Sequence, residues 1–356
     1  MKKSLIIVTL LFIVAIIGIS QKERILTIVM QKGLESRIGS DLISDLEDGL
    51  HLGLCGAGGP LPAPNASGPC VAVIAGDRLF IVDAGTDGLR NLGRMGLQPG
   101  RIEALFLTHF HSDHIDGLGE MATIRWVSAA NTTPLPVYGP PGVGQIVNGF
   151  NTAYALDKVY RHEHHGDTVA PVSGFGMVAE EFVTPELGVL TTLVDDEELL
   201  IEALTVGHAP VEPAVGYRFK YKDRSLLITG DTIEMDNIRK FAKGVDLLVH
   251  EALAPNLVMQ MNAAAKKVEN QVLEKVTIDI LDYHASPMQA ATVARDADVG
   301  HLLYYHIVPP MVLPGQASLF LNGAEDVFSD YTIGQDGVMF SMPADSNQIN
   351  KIRKGL

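Results

Sequence analysis

The sequence predicts an α/β fold in which helices cover two β-sheets. Short apolar runs typical of buried strands occur in both halves of the chain, for example Cys70–Ile74 and Leu79–Val82 in the first half and Val215–Tyr221 in the second. Segments with helical signals are interspersed among these runs. Strand clusters in both halves with helices between them indicate two sheets, each with helices packed on it.

The composition is that of a globular protein with excess negative charge. The chain has 356 residues, 47% of them apolar, which suffices to bury a full core in one large domain or two smaller ones. The formal net charge is -15. Because an acidic surface repels the phosphates of nucleic acids, general nucleic-acid binding is disfavoured, although a local basic patch could still provide it.

The two cysteines, Cys55 and Cys70, are too few for a disulfide framework or a cysteine-based zinc site. We expect two small buried side chains in strands, since unpaired cysteine is among the most buried residue types. A disulfide between them is the alternative if the domain is exported.

Residues 1–20 are typical of a targeting segment. Lys2 and Lys3 precede an apolar stretch from Leu5 to Ile19, which suits either an uncleaved signal anchor, that is, a transmembrane helix, or a signal peptide. Its end, Ile17-Gly18-Ile19-Ser20, lacks the small-x-small alanine pattern of a good cleavage site, which favours the anchor. We therefore expect membrane contact through this segment and a folded domain on the periplasmic side, or a secreted domain if the segment is cleaved.

The rest of the chain divides into three predicted parts. Residues 21–47 are of mixed polarity and predict a helical stalk or linker. Residues 48–345 form the folded domain. Residues 346–356, which include Lys351, Arg353 and Lys354, predict a solvated tail.

Strand and turn signals alternate along the folded domain. The segment Gly56–Gly68 is rich in Gly and Pro and predicts a loop, and Gly76–Asp77 predicts a tight turn between two strands. Ser286, followed by Pro287 and Gln289, predicts the start of a helix that runs toward Asp296. Other strands are predicted at Leu52–Cys55, Leu105–Leu107, Leu200–Val206, Leu226–Thr229, Leu247–Val249 and His301–His306.

Residues 151–200 show the least clear pattern. We expect a solvated loop for His162–His165, with the lining of a substrate cleft or an extra ion site as the alternative. Arg125 and Trp126 are expected on a helix that packs on the core. The segment Pro309–Leu321 is apolar and loop-like, and fits either a dimer contact or a substrate lid.

One short segment, His109-Phe110-His111-Ser112-Asp113-His114, concentrates metal-ligating side chains directly after the apolar run Ala104–Leu107. Neutral imidazole and carboxylate are the usual nitrogen and oxygen ligands of zinc and related ions. In an extended segment residues two apart share a face, so His109 and His111 point the same way. Asp113 and His114 begin the next segment and can turn toward a second ion.

Three further ligand-type residues each follow an apolar strand. His208 follows Leu204–Gly207, Asp231 follows Leu226–Gly230, and His306 follows Leu302–Tyr305. The ends of neighbouring strands at one edge of a sheet meet in space. Together with the segment 109–114, these residues predict one dinuclear metal site.

The chain resembles the metallo-β-lactamase superfamily in these residues and in Val82-Asp83-Ala84-Gly85. The resemblance covers roughly residues 50–342. Within the superfamily, the chain is similar in particular to the ribonuclease Z and arylsulfatase-like branch. The motifs that carry this similarity are Leu54–Pro60, His250-Glu251-Ala252 and His284-Ala285-Ser286. The resemblance implies a four-layer αβ/βα sandwich with the metals at one edge of the sheets.

The resemblance also implies a role for each site residue. One metal takes His109, His111 and His208, the second takes Asp113, His114 and His306, and Asp231 bridges them. A water shared by two cations loses a proton near neutral pH and becomes the nucleophile, which Asp113 orients or deprotonates. His284 is the expected proton donor to the leaving oxygen, with Glu251 on its other ring nitrogen. Asp83 is expected to anchor the metal loop by hydrogen bonds.

The predicted function is metal-dependent hydrolysis of a phosphodiester, sulfate-ester or related ester bond in a small substrate. An imidazole at His111, where redox di-iron relatives carry a carboxylate, favours hydrolysis. The alternative is ribonuclease Z-type processing of tRNA 3′ ends, against which stand the acidic segment Val194–Glu198 and the lack of a long basic arm in residues 140–200. A β-lactamase, a lactonase and a non-catalytic metal-binding module stay open.

The predicted cofactors are two divalent metal ions. Zinc is the default for mixed His and Asp sites, and manganese or iron would suit the same ligands. The predicted partners are a small-molecule ester and the membrane, and a homodimer stays open.

Overall fold

The computed structural model describes residues 21–38, 40–64 and 66–356. The predicted signal anchor, residues 1–20, lies outside this range. Among the described residues, no helix is both long enough and apolar enough to cross a membrane. The chain divides into a first unit that ends at Leu42 and a second unit that comprises Ile43–Leu356.

In the first unit, the segment predicted as a helical stalk contains helix α1 (Lys22–Ile38). Its apolar side chains are exposed, among them Ile25 and Leu26. A helix without a buried apolar stripe gains little from packing, so propensity and pairs such as Gln31 with Glu35 stabilise it.

The described part of the chain contains fifteen strands in two sheets. The first sheet has the order β15-β14-β1-β2-β3-β4-β5-β6, and the second has the order β13-β12-β11-β10-β9-β8-β7. The strands are β1 (Gly49–Gly56), β2 (Cys70–Ala75), β3 (Arg78–Val82), β4 (Ile102–Phe106), β5 (Leu135–Gly139), β6 (Met177–Glu181), β7 (Thr191–Asp195), β8 (Leu199–Thr205), β9 (Val215–Tyr221), β10 (Arg224–Ile228), β11 (Leu247–Leu253), β12 (His301–Val308), β13 (Tyr331–Ile333), β14 (Val338–Pro343) and β15 (Asn350–Lys354).

Strand direction decides which ends meet. In the first sheet β4 pairs in parallel with β3 and β5. In the second sheet β10 pairs in parallel with β11, and β11 with β12. The carboxyl ends of the central strands therefore lie together at one edge of each sheet, where binding sites of α/β proteins form.

The main core lies between the two sheets. Phe106 of β4 contacts Phe80 and Tyr138 of its own sheet and Tyr217 and Phe219 of the other. These aromatic contacts fix the spacing of the sheets, and burial of one such side chain contributes on the order of 2–3 kcal/mol.

Helices cover the outer faces of both sheets. The first sheet buries Leu92 and Trp126 of two helices, and the second sheet packs against Ile238 and Ala290 of two others. The remaining helices of the described residues are α2 (Leu42–Asp45), α3 (Gly88–Met95), α4 (Ser112–Ile115), α5 (Leu118–Ser128), α6 (Val143–Ala153), α7 (Ala155–His165), α8 (Asp236–Phe241), α9 (Pro255–Lys267), α10 (Gln271–Asp279), α11 (Pro287–Asp296), α12 (Gln316–Leu321) and α13 (Ala324–Val327). This confirms the predicted four-layer arrangement.

Helix α11 begins where the sequence predicts. The Ser286 hydroxyl accepts a hydrogen bond from the Gln289 backbone N–H, and the Gln289 side chain accepts one from the Ser286 backbone N–H. This reciprocal pair satisfies two donors that a helix start leaves open, and it fixes the chain just after the predicted site residue His284.

The structure pairs Cys55 with Cys70 in a disulfide that closes a 15-residue separation. The expectation of two unpaired buried cysteines is therefore wrong. Both strands bury the cysteines fully, and their Cα atoms lie 4.9 Å apart across the β1–β2 ladder. The sequence indicates that both positions lie in strands, but it does not show that the strands are neighbours or that Cys55 lies at a register shift next to Gly56, the residue opposite Cys70.

Two other segments differ from the expectation. His162–His165 lie at the end of helix α7 and not in a loop. Residues 346–356, predicted as a solvated tail, contain β15, which extends the edge of the first sheet by pairing with β14. A short polar strand at a sheet edge buries little, so its sequence lacks the apolar alternation by which strands are recognised.

Candidate metal centre

The seven side chains predicted as metal ligands meet at the edge where strands of both sheets end. His109 follows β4, His208 follows β8, and Asp231 follows β10. His111 and Asp113 are partly exposed, and the other five are buried. The set comprises His109, His111, Asp113, His114, His208, Asp231 and His306.

The first group consists of three imidazoles. Nε2 of His109 lies 3.0 Å from Nδ1 of His111. Nε2 of His208 lies 3.4 Å from the same Nδ1 atom. The three nitrogens converge on one small volume, which is the arrangement that ligands of a single cation require.

The second group combines two imidazoles with a carboxylate. Oδ2 of Asp113 lies 3.3 Å from Nε2 of His306 and 3.7 Å from Nε2 of His114. The members of this group are the three residues predicted to share the second cation.

Asp231 lies between the two groups. Its Oδ2 atom is 3.8 Å from Nε2 of His109, 3.7 Å from Nε2 of His208 and 3.3 Å from Nε2 of His306. Its Oδ1 atom is 3.4 Å from Nε2 of His114. One carboxylate thus contacts both groups, as a bridging ligand must.

A β-bulge directs His306 into the cluster. Tyr305 is opposite Glu251 in the β11–β12 ladder, but Ile307 is opposite Ala252, so His306 is an extra residue. Its φ of 43° lies in the left-handed region, which is costly for a side chain other than glycine. Such strain is found where function requires a particular side-chain direction.

Hydrogen bonds outside the cluster orient its rings. Oδ1 of Asp83 accepts a hydrogen bond of 2.8 Å from the Thr108 backbone N–H. The other carboxylate oxygen of Asp83 lies 2.8 Å from Nδ1 of His114, and Nδ1 of His208 donates to the Tyr283 carbonyl at 2.9 Å. Nε2 of both rings therefore faces the cluster, and the expected anchoring role of Asp83 is confirmed.

Burial sets the protonation of several cluster residues. It lowers the pKa of His109, His111 and His208, so their rings are neutral at pH 7, as metal ligands require. Burial raises the pKa of Asp231, but the neighbouring His306 and His114 outweigh this and bring it well below its usual range. The bridging position thus carries a negative charge.

Unpartnered buried atoms indicate that the cluster is built for a group the chain does not supply. Nε2 of His114 and Oδ1 of Asp231 are buried without a hydrogen-bond partner among the described residues. Each such atom costs about 1–3 kcal/mol if it stays unsatisfied. Imidazole nitrogens and carboxylate oxygens are the donors that divalent metal ions take. The residues therefore fit two divalent cations, in the two groups described above.

Beside the cluster, Glu251 and His284 form a buried pair. Oε1 of Glu251 lies 2.9 Å from Nδ1 of His284 and accepts hydrogen bonds from the backbone N–H groups of Thr232 and Ala285. Burial lowers the pKa of His284, but the charge of Glu251 and its hydrogen bond outweigh this and raise the pKa to about 9. The ring has one nitrogen, Nε2, left for a substrate.

A cleft of about 890 Å³, mouth included, opens next to these residues. Asp113, His284 and His306 line one end of it. Apolar side chains of α9 and α10 line another part of it, among them Val258 and Val276. A substrate that reaches the cluster through this cleft contacts both parts.

Sequence reasoning missed three parts of the site. Thr108 donates to the Asp83 carboxylate, the Tyr283 carbonyl accepts from the His208 ring, and each of the two residues directly precedes a predicted site histidine in the sequence. No helix is predicted at α9 and α10, although the apolar spacing of Leu257, Val258 and Met261 and of Leu273 and Val276 is a helical signal.

Other residues singled out in the sequence lie away from the cluster. Trp126 is buried on α5 and its indole N–H donates to the Pro171 carbonyl, as expected for a helix packed on the core. Arg125 donates to backbone carbonyls of Ile102 and Thr133. His162 interacts with the Ala170 carbonyl and belongs to none of the ligand groups of the described residues.

Similarity to known proteins identifies the family of this chain. A family profile described as "Metallo-beta-lactamase superfamily" matches residues 64–277. The chain belongs to the metallo-β-lactamase superfamily. It is therefore an enzyme of the metallo-hydrolase class, and the fold implies divalent metals, typically zinc.

Within the superfamily the chain is similar to proteins named Ribonuclease Z, which confirms the predicted branch. It is 34% identical over 282 residues to Ribonuclease Z of Mycobacterium bovis, which is 79% of this chain and 93% of that protein. It is 36% identical over 269 residues to Ribonuclease Z of Mycolicibacterium gilvum, covering 75% of this chain and 87% of the relative.

Two solved structures show the same fold. The short form of human tRNase Z superimposes with a TM-score of 0.58 at 22% identity, over 82% of this chain and 99% of that one. The metallo-beta-lactamase fold protein YhfI from Bacillus subtilis gives 0.57 at 22% identity, with the same coverage of both chains.

The geometry predicts that metal binding depends on Asp231. We expect the purified chain to hold about two divalent cations, and Asp231→Asn to lose at least one, because an amide does not balance the charge of two cations. Asp236→Asn, which changes an almost fully exposed carboxylate on α8, is the matched control. Elemental analysis after dialysis against a weak chelator measures both, and two tightly held ions in Asp231→Asn would contradict the bridging assignment.

Proposed function

We propose that the chain hydrolyses phosphodiester bonds, with RNA as the first candidate substrate. The observation that carries this is the position of the His284–Glu251 pair beside a cluster fit for two cations, at one end of an open cleft. The extent of the similarity to proteins named Ribonuclease Z supports RNA as the substrate.

The metals and the chain supply different parts of this chemistry. When bound, two divalent cations supply Lewis acidity, which makes water acidic enough to react near neutral pH and stabilises negative charge on a phosphoryl group. The chain holds the phosphoryl group between the cluster and the cleft and excludes bulk water on the buried side.

His284 is the proposed proton donor to the leaving oxygen. Its Nδ1 atom is held by Glu251, so Nε2 carries the proton that the substrate receives. Because Glu251 raises the pKa of His284 to about 9, the ring is protonated at neutral pH and has a proton to give. Once the proton has left, the Nδ1 hydrogen bond keeps the ring in place.

Asp113 is the proposed orienting group for the attacking water. It is partly exposed to the cleft, and its Oδ2 atom lies 3.3 Å from Nε2 of His306. Burial raises its pKa, but the hydrogen bond and charge of His306 bring it below its usual value, so a carboxylate is present at neutral pH. A carboxylate oxygen at this place accepts a hydrogen bond from water and sets its direction.

The proton-donor role predicts a dependence on the leaving group. We expect His284→Gln to lower kcat about 100-fold or more for alkyl phosphodiesters, whose leaving alkoxide needs a proton, and much less for p-nitrophenyl esters, whose leaving group is stable as an anion. Glu251→Gln should show the same split in weaker form. His301→Gln is the matched control, since His301 bonds Thr332 at the end of β12 away from the ligand groups. Equal losses for both leaving groups, with metal content unchanged, would argue for a positioning role alone.

RNA as the substrate is tested with a precursor tRNA that carries a 3′ trailer. We expect cleavage by the metal-loaded chain, weakened by added salt, because RNA binding depends on phosphate contacts. Asp231→Asn should abolish it. Turnover of bis(p-nitrophenyl) phosphate without cleavage of the precursor would exclude RNA and leave the phosphodiesterase proposal standing.

A small phosphodiester is the second candidate substrate, and the cleft favours it. Among the residues that line the cleft there is no lysine or arginine. RNA brings several phosphates to a site and needs cations along its path, whereas a small diester brings one phosphate, which the metal cluster alone would neutralise.

We also propose that the enzyme works outside the cytoplasm. The disulfide between Cys55 and Cys70 supports this, since such bonds persist in oxidising compartments, and so do the sequence features of residues 1–20. Fractionation of cells that express the full chain should place it in the membrane or periplasmic fraction, with both thiols resistant to alkylation. Recovery from the cytosol with two reactive thiols would contradict the proposal.

A further inference from the structure

The apolar end of the cleft is a formed wall, made by the hairpin of α9 and α10. Asn262 of α9 is buried, and its side-chain amide donates to the Thr277 hydroxyl at 2.9 Å and to the Glu274 carbonyl at 2.9 Å. These bonds lock the two helices against each other. The face they turn to the cleft carries Met261, Leu273 and Val276, and Ile280 continues it after the helix ends.

This wall is apolar yet open to solvent. Val276 is 46% exposed although it lines the cleft, and an apolar side chain left in water at the mouth of a site is unfavourable until something covers it. The wall is continuous with the proposed proton donor, because Tyr283 and His284 line the same cleft. A ligand that covers the wall therefore lies next to the metal cluster.

Charge divides the cleft into two parts. The ionisable side chains lie at the cluster end, namely Asp113, Asp231, His111, His284, His306 and Tyr283, and no lysine or arginine lines any part of it. A phosphate finds its partners only at the cluster. A second anionic group placed against α9 and α10 would lose its hydration without gaining a counter-charge, which is costly.

We propose that the wall of α9 and α10 binds an uncharged, apolar ester group of a phosphodiester substrate, either alkyl or aryl. This rests on the proposed phosphodiesterase activity and on its second candidate substrate, the small diester, which it specifies. The phosphate lies at the cluster, the leaving oxygen faces Nε2 of His284, and the apolar group extends along Met261 and Val276. No bond is formed or broken at the wall, which serves binding and selectivity.

The proposal predicts how turnover depends on the substrate. Each methylene added to the apolar group and buried on the wall should raise kcat/KM about three- to four-fold until the cleft is full. A series of p-nitrophenyl alkyl phosphates from methyl to octyl, with the phenyl ester added, measures this slope in the metal-loaded full chain.

Matched variants locate the effect. Met261→Ser combined with Val276→Ser should flatten the slope, so that kcat/KM falls most for the octyl ester and least for the methyl ester. Met259→Ser combined with Val272→Ser is the control, because Met259 also lies on α9 and Val272 on α10, both are exposed, and neither lines the cleft. The control should keep the wild-type slope.

A binding measurement separates this inference from the proposed activity. Calorimetry with dimethylphosphinic acid and methyl(octyl)phosphinic acid, whose two P–C bonds leave no ester to hydrolyse, should show tighter binding of the octyl compound and loss of that difference in the wall variant. Turnover of the whole series without a chain-length slope would overturn the apolar wall while the phosphodiesterase stands. A chain-length effect on binding without turnover of any diester would overturn the phosphodiesterase alone. Marked preference for thymidine 5′-p-nitrophenyl phosphate over every alkyl ester would also overturn the inference, since the wall would then bind a nucleobase.

Discussion

The arrangement of the site depends on one buried carboxylate. Asp231 is 2% exposed and lies within 3.8 Å of imidazoles contributed by both sheets. A charge in such a place is tolerated only with charged partners, and the same burial that makes it costly makes its attraction for cations strong. The two sheets converge at this edge, and a cation between their ligands would tie one to the other. Metal binding and the stability of the fold at this edge are thus coupled.

The scaffold holds this site by accepting local strain. Asp83 and His306 both have φ values in the left-handed region; Asp83 directly follows buried strand β3, and His306 lies within buried strand β12. Gly230 precedes Asp231 with φ 65°, where a Cβ atom would come within 2.8 Å of the Thr108 side chain. The surrounding sheets hold the backbone in these unfavourable conformations. In return, the side chains of the metal ligands point into the cluster. The aromatic core around Phe106 supplies the rigidity.

The sequence predicts most of the metal site because the ligand residues follow directly after apolar strands. The run Ala104–Leu107 before His109 and the helix cap at Ser286 are local patterns, which can be recognised without knowing which strands are neighbours. The pairing of Cys55 with Cys70 depends on the register of β1 against β2, and the edge strand β15 depends on a neighbour far away in the sequence. The bulge that directs His306 likewise arises from the pairing of two strands. Long-range register is the information that single-sequence patterns lack.

The hairpin of α9 and α10 indicates that the similarity to proteins named Ribonuclease Z does not by itself determine the substrate. Similarity over most of the chain accounts for the fold and for membership of the metallo-hydrolase class. Selectivity comes from what surrounds the scissile bond, and here that surface is apolar, without lysine or arginine among the lining residues. A net charge of -15 adds long-range repulsion to that local lack of cations. A polyanion would thus have to rely on the metals alone for counter-charge, whereas a diester with one apolar arm gains from both ends of the cleft. The wall, more than the cluster, distinguishes the two candidate substrates.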